Sequence, residues 1–364
     1  MSIQISKNIK YYRKLKDYTQ DELAQCIGIS AQSISKWERG EGFPDITLLP
    51  TIAAVFDVSL DELFGAKDSQ NEKHLEEIKM QYNENSASGR ISENIKLLRE
   101  ELKNFPNNFD LMVCLADSLN SEQSDKMQEN RLEAAELCEF VLNKCDDTGI
   151  RNHATNSLCY IYFYLGEYDK SIKLTEKMPS LFESQEIVRA GILKNGKEKI
   201  IACKELLPAL ANAMKNQLYS LSWLAANSEQ NYTAEECVKL LDIAIAVYGL
   251  IFDDGDYLFY NCDLWLLHEQ KASILLKSGD KDRALDSLCE AVCYAKQYDN
   301  LPETAFHTSV AVRGLEYNRL NTSTNTESNQ CHRLLETLEN KQWDLLRSDN
   351  RFVEITKELN KYAN

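Results

Sequence analysis

Along almost the whole chain, apolar residues return every three or four positions, and short polar turns separate the runs. That period belongs to amphipathic helices. In residues 5–18, Ile5, Ile9, Tyr12 and Leu15 fall on one helical face, with Lys7, Lys10, Arg13, Lys14 and Lys16 around it. Thr19-Gln20-Asp21-Glu22 then has the spacing of a capping box, so a second helix starts there and runs to Gly28, which suits the left-handed position past a helix end. Ser30 is placed to cap a third helix over Ala31–Arg39, stopped by Gly40. Asp45 is placed to cap a fourth, with Pro50 in its first turns, where a missing amide costs little. Ser59-Leu60-Asp61-Glu62 opens a short fifth helix ending near Gly65. The pattern predicts a small bundle of short, individually capped helices.

Within that bundle, the second and third helices carry a particular packing requirement. Ala24 is small enough for another helix to cross closely, Gly28 permits the tight turn, and Ile34 points back into the angle, above Leu23 and Ile27. Trp37 shares the inward face with Ile34. Together with TQDELAQCIGIS, SISKWERG, the Pro44-Asp45 step and FDVSLDELFG, these residues make the segment 5–65 resemble the Cro/lambda-repressor-type (Xre-type) helix-turn-helix domain of bacterial and phage repressors.

The resemblance implies a recognition helix at Ala31–Arg39, its N-terminal part in the major groove of double-stranded DNA. Ala31, Gln32, Ser33 and Lys36 become the base-reading candidates. A carboxamide such as Gln32 can bond adenine N6 and N7 together, and Lys36 can reach guanine or a phosphate. Gln20 matches a phosphate contact of that family at the positive end of a helix. Lys7, Lys10, Lys14 and Ser35 are further phosphate candidates, each equally readable as solvated surface. Arg13 and Glu38 match a pair that ties the first helix to the recognition helix, or else form an ordinary exposed ion pair.

Beyond Gly65 the periodicity changes character. The polar stretch AKDSQNEK reads as a linker leading into a helix, so that residues 67–90 connect the head, residues 1–66, to the rest of the chain. SLCYIYFYLGEYDKSIKLTEKM (157–178) and WLLHEQKASILLKSGDKDRALDSLCEAV (265–292) each place a helix before a G-[DE]-x-D turn. A small residue, Ser171 or Ala284, then opens the next helix. These fragments resemble tetratricopeptide repeats, with 109–119 and 131–142 as degraded copies. The spacing from Gly166 to Gly279 is close to a little over three repeat lengths, but the intervening segments match the consensus poorly, so residues 91–320 are expected to form an irregular helical-hairpin solenoid. NTSTNTESNQ (321–330) is a polar low-complexity stretch expected to be a mobile loop, and the remainder to residue 364 supplies capping helices. The expected fold class is all-α: a five-helix head on a tetratricopeptide-like body. That combination resembles a large group of bacterial transcription regulators, some of which sense short peptides on the repeat domain, so the body is expected to serve dimerisation, the sensing of a peptide or protein effector, or both. Asn156 and Asn227 are the asparagines the resemblance brings forward, without assigning either a site.

Charge sharpens the reading. The chain has 41 Lys and Arg against 57 Asp and Glu, a formal net charge of −16, yet the first 65 residues hold seven basic and nine acidic groups. Most of the negative charge therefore belongs to the body. One head of net −2, with Glu41 just after the recognition helix, should bind DNA weakly, because electrostatic affinity follows the number of phosphates neutralised. Two heads on a palindrome restore it, so a homodimer is expected. The alternative is a protein-interaction adaptor whose head has lost DNA binding.

Eleven cysteines at irregular spacings, with no C-x-x-C, read as reduced thiols rather than a metal site. No run of 18 apolar residues crosses a membrane, and a cytoplasmic protein is expected. The segments Gly196-Lys197, His268-Glu269 and FDDGDY (252–257) lack the partners of a phosphate loop, a zinc site or a calcium loop. The sequence therefore predicts no cofactor, no metal and no enzyme activity.

Overall fold

Each short helix of the head is bounded by a side chain that satisfies its first free amides. In the computed structural model, which describes residues 5–64, 66–227 and 232–363 (the side chains of 66–70 apart), the head consists of α1 (Ile5–Leu15), α2 (Gln20–Ile27), α3 (Ala31–Glu38), α4 (Leu49–Phe56) and α5 (Leu60–Phe64). Both halves of the Thr19 capping box are formed: the Thr19 amide donates to the Glu22 carboxylate at 2.7 Å, and the Glu22 amide donates to the Thr19 hydroxyl at 3.2 Å. Ser59 and Glu62 repeat the arrangement at α5. Asp45 caps a 3-10 turn over Ile46–Leu48 rather than α4 itself, so the fourth helix starts later than expected, with Pro50 in its first turn. Gly65, read as the end of the fifth helix, lies outside the described residues. Ile5, Ile9, Leu23, Ile34, Ile52 and Phe56 form one buried core with Ala24 and Trp37.

The chain divides into two compact units, residues 1–81 and 82–364. The stretch read as a linker is helical instead: α6 (Ala66–Ala87) runs unbroken. It contains neither Gly nor Pro, and an i,i+4 pair between Lys73 and Glu77 supports its exposed face.

In the second unit, α7 (Ile91–Asn104), α8 (Phe109–Ser121), α9 (Met127–Lys144), α10 (Thr148–Tyr164) and α11 (Tyr168–Thr175) pack each against the next. A second run begins after a 3-10 turn: α12 (Gln185–Ile192), α13 (Lys197–Asn227), α14 (Ala234–Ile251), α15 (Asn261–Lys277) and α16 (Lys281–Asp299). Trp265, Leu264, Leu285, Leu288 and Trp343 lie at the centre of the larger core of this unit. The repeat is irregular, as its sequence predicts. The 8-residue α12 precedes the 31-residue α13, and Ala190 is the buried residue of α12, while α11 buries none.

Two features depart from the expected solenoid. Residues 304–318 contain a small antiparallel pair, β1 (Thr304–Phe306) with β2 (Glu316–Asn318), in which Ala305 stands opposite Tyr317. The acidic turn before α15 holds it: the Asp256 carboxylate accepts the Thr308 amide at 2.7 Å and hydrogen-bonds the Ser309 hydroxyl and His307. These contacts span more than 50 residues, so no local pattern announced the pair.

The polar stretch 321–330, expected to be mobile, is docked. Thr324 donates its amide to the Ser86 carbonyl at 2.9 Å, and Gly89, at φ 71°, lies so close to Thr326 that a Cβ would stand 2.1 Å from its carbonyl oxygen. Several of its side chains bind backbone: the Thr322 and Thr324 hydroxyls donate to the Arg319 and Thr326 carbonyls, and the Asn329 amide donates to the Tyr362 carbonyl at 2.6 Å. The helices α17 (Gln330–Leu338) and α18 (Asn350–Asn360) follow and cover the α16 side of the core, as capping helices should.

Candidate nucleic-acid interface

Recognition-helix geometry begins with the turn before it. Gly28 takes φ 78° and its amide closes α2 on the Ala24 carbonyl at 2.9 Å, a conformation that costs a glycine little. The chain then reverses over two residues, and Ser30 caps α3 by accepting the Ser33 amide at 3.3 Å. Ala24, Ile34 and Trp37 are buried, and α2 and α3 pack together.

Burial of Ile34 and Trp37 fixes which face of α3 looks outward. Gln32 and Lys36 are both exposed there, four residues apart and hence on one face. Ala31 is half-buried against the head's core, so only part of its methyl is open. Ser33 is half-buried too, its hydroxyl 3.0 Å from that of Ser30. Ser35 accepts a hydrogen bond from Arg39 and keeps its own proton for another acceptor. Lys7, Lys10 and Lys14 are exposed along α1.

A brace behind α3 keeps this face in place. Arg13 grips Glu38 with two parallel bonds, Nε to Oε1 at 2.5 Å and Nη2 to Oε2 at 3.0 Å, and a third bond runs from Nη1 to the Tyr18 carbonyl at 2.7 Å. The Gln20 amide donates to the same carboxylate at 2.8 Å, which spends one of its two N–H groups and leaves the other. With side-chain exposures of 12% and 3%, Arg13 and Glu38 are no ordinary surface pair. Burial works against the Glu38 charge, but the bonds from Arg13 and Gln20 outweigh it and hold its carboxyl below the usual range. The hydrogen bond to Glu38 likewise raises Arg13. Three helices are thus fastened at one carboxylate.

Two contacts in the head were not anticipated from the sequence. Asn8 donates to the Glu62 and Leu63 carbonyls at 3.2 and 3.3 Å, tying α1 to the end of α5. Its partners are 54 and 55 residues away, so nothing local points to it. Arg39 and Glu41 form a two-bond pair at 2.7 and 2.8 Å, exposed to solvent. Opposite charges flanking Gly40 were the available signal. Glu41 therefore neutralises the second cation of the recognition segment, and hydrogen bonding to Arg39 lowers its own pKa, helped by the nearby charge of Lys36.

The head is similar in sequence to known proteins. The family described as Helix-turn-helix matches residues 9–63. An uncharacterised HTH-type transcriptional regulator of Methanocaldococcus jannaschii is 35% identical over 66 residues, 18% of this chain and the whole of that protein. The CTXphi transcriptional repressor RstR of Vibrio cholerae is 38% identical over 81 residues, 22% of this chain and 72% of the repressor. The activator BcrR of Enterococcus faecalis is 30% identical over 82 residues, and the chain spans only 40% of its length. Among solved structures, Bacillus thuringiensis PlcR in complex with the peptide PapR7 and DNA aligns over 81% of this chain and 95% of its own, at 15% identity and a TM-score of 0.36. Apo ComR of Streptococcus vestibularis aligns over 85% and 94%, at 16% identity and a TM-score of 0.28. The chain belongs to the Xre-type family of helix-turn-helix transcription regulators.

Proposed function

We propose that the protein is a dimeric, sequence-specific regulator that binds double-stranded DNA through its head and receives a signal through its helical body. The observation that carries the proposal is the outward pair Gln32 and Lys36, on a helix whose other face is locked by Ile34, Trp37 and the Arg13–Glu38–Gln20 brace. A rigid helix with a carboxamide and an ammonium on one side is suited to base edges in the major groove. Partly open Ala31 lets that helix approach the groove, and Ser33 shapes its start. Lys7, Lys10, Lys14, Ser35 and the spare N–H of Gln20 serve as phosphate contacts. Such contacts set register without reading sequence.

Dimerisation follows from charge and from apolar surface. A head of net −2 gains affinity by doubling on a palindrome. The body has an apolar face for the purpose: Tyr160, Phe163, Ile172, Phe182, Ile192 and Ile200 are all more than half exposed along α10–α13. So many exposed apolar side chains within 41 residues support an interface, and a second copy of this chain is the partner proposed. Among the described residues, no helix is long and apolar enough to cross a membrane. A regulator acting on bacterial DNA works in the cytoplasm.

Genome-wide selection of bound DNA by the full-length protein tests the reading. One palindromic motif should emerge and vanish with Gln32→Ala/Lys36→Ala, while Ile172→Glu/Ile192→Glu should leave monomers in sedimentation and weaken binding. The adaptor alternative draws on the Arg39–Glu41 pair, which removes one cation from the reading segment. If no motif emerges and the double variant keeps its cellular role, the adaptor reading replaces the regulator.

A further inference from the structure

A polar cavity of about 460 Å³ lies within the second unit, where its first helices meet its last. Tyr82 and Ser86 of α6, Asp117, Ser118 and Asn120 of α8, and Arg333 of α17 all line it. The docked 321–330 stretch closes one side through Ser323, Thr324 and Asn325. The volume falls within the range of small-molecule sites, though the lining is richer in hydroxyls and amides than most.

Three of its groups are incomplete or lack an opposite charge. Arg333 has no carboxylate partner among the described residues. Its guanidinium is positioned instead by the Gln330 side-chain oxygen, to which Nη1 donates at 3.1 Å, and by the Trp265 ring at 5.9 Å. Gln330 is itself fixed by the indole N–H of Trp265 at 3.0 Å, so the arginine rests on a rigid support with donors to spare. The Asn120 side-chain oxygen is buried without any donor, an expensive state for an amide. Asp117 uses one carboxylate oxygen on His153 at 2.8 Å and retains the other. The Asn120 oxygen is closed off from the cavity, so a ligand must bring an acceptor for Arg333 and a donor for Asp117.

We propose that this cavity binds a small zwitterionic carboxylate of the free amino acid class. Its carboxylate is received by Arg333 and its ammonium by Asp117. A phosphate or dicarboxylate fits less well, because Asp117 repels a second negative charge with only one guanidinium to offset it. The inference rests on the body's role as the signal-receiving part and names the chemistry of the signal.

Calorimetry on the full-length protein, without DNA, with each of the standard amino acids, their amides and the matching deaminated acids provides the test. At least one amino acid should bind saturably. Its amide should bind at least about tenfold more weakly, the scale of one charge-assisted bond. Arg333→Met should abolish binding, and Asp117→Asn should weaken the amino acid while sparing the deaminated acid. Circular dichroism confirms that each variant is folded. If no amino acid binds the wild-type protein, or if acid and amide bind alike, the proposal is overturned. The acid–amide comparison uses only the wild-type chain, so a misfolded variant leaves the test decisive. Because DNA is absent, failure here leaves the DNA-reading proposal standing, and failure of DNA selection leaves this one standing.

Discussion

Head and body treat their buried polar groups in opposite ways. In the head, the Arg13 guanidinium, the Glu38 carboxylate and the Gln20 amide satisfy one another, and Asn8 finds two carbonyls. Among the described residues, the buried side-chain atoms without a hydrogen-bond partner all belong to the body: Asn94, Asn120, Arg131, Asn261, Gln270 and Trp343. Apolar groups do not divide in this way: six apolar side chains along α10–α13 are more than half exposed, but Tyr11, Leu15, Phe43 and Ile46 of the head are too. A completed unit presents only its outer face for recognition. An incomplete one is expected to be completed by something else, here a second chain and a small ligand.

Removing the carboxylate at the centre of the brace tests the head most severely. Glu38→Ala strands Arg13 in a nearly buried position and should destabilise the head by about 3–4 kcal/mol, within the range for breaking such a pair. Hydrogen exchange in α1 and α3 of the full chain reads the loss; protection equal to wild type would mean the brace is dispensable.

The body should respond to pH where the head does not. Burial, with Lys271 adding to it, depresses His268 to about 4 beside Ser287 and Tyr294. A histidine that stays neutral when folded but protonates near 6.5 when unfolded costs stability as the pH falls from about 6.5 to 4, by roughly 3 kcal/mol in total. Burial raises neighbouring Glu269 to about 7, which opposes this by favouring the folded state as the pH drops below 7. In a Glu269→Gln background the acid loss should therefore steepen, and His268→Gln should then flatten it, measured as the denaturant midpoint against pH.

Smaller effects belong to the reading face. Gln32→Ala should reduce discrimination at one base pair per half-site by about 1–3 kcal/mol while leaving the thermal midpoint unchanged. A uniform loss across all sequences would reassign Gln32 to the phosphates. Glu41→Gln, which frees Arg39, should strengthen binding by about 1 kcal/mol or less and steepen the salt dependence by about one counterion per head. An unchanged salt slope would show that Arg39 does not reach the backbone.

What was legible in the sequence was local. Thr19 with Glu22, Ser59 with Glu62, Gly28 and the Ile34–Trp37 face each depend on residues within four positions, and helical periodicity carried the rest of the head. In the body, the G-E-Y-D and G-D-K-D turns marked real hairpins for the same reason. A polar stretch alone misled twice: AKDSQNEK is helix, and NTSTNTESNQ is docked against α6.

The sequence by itself determined the order of helices, their caps and which face of α3 looks outward, because capping and amphipathicity act within one or two turns. Tertiary structure alone decided that Gln20 joins Arg13 on Glu38, that Asp256 holds the β1–β2 pair and that Arg333 faces the same cavity as Asp117 and Asn120. Those groups meet across distances in sequence from 18 to more than 200 residues. Over such separations, the packing of whole helices, rather than any local preference, chooses a side chain's neighbours.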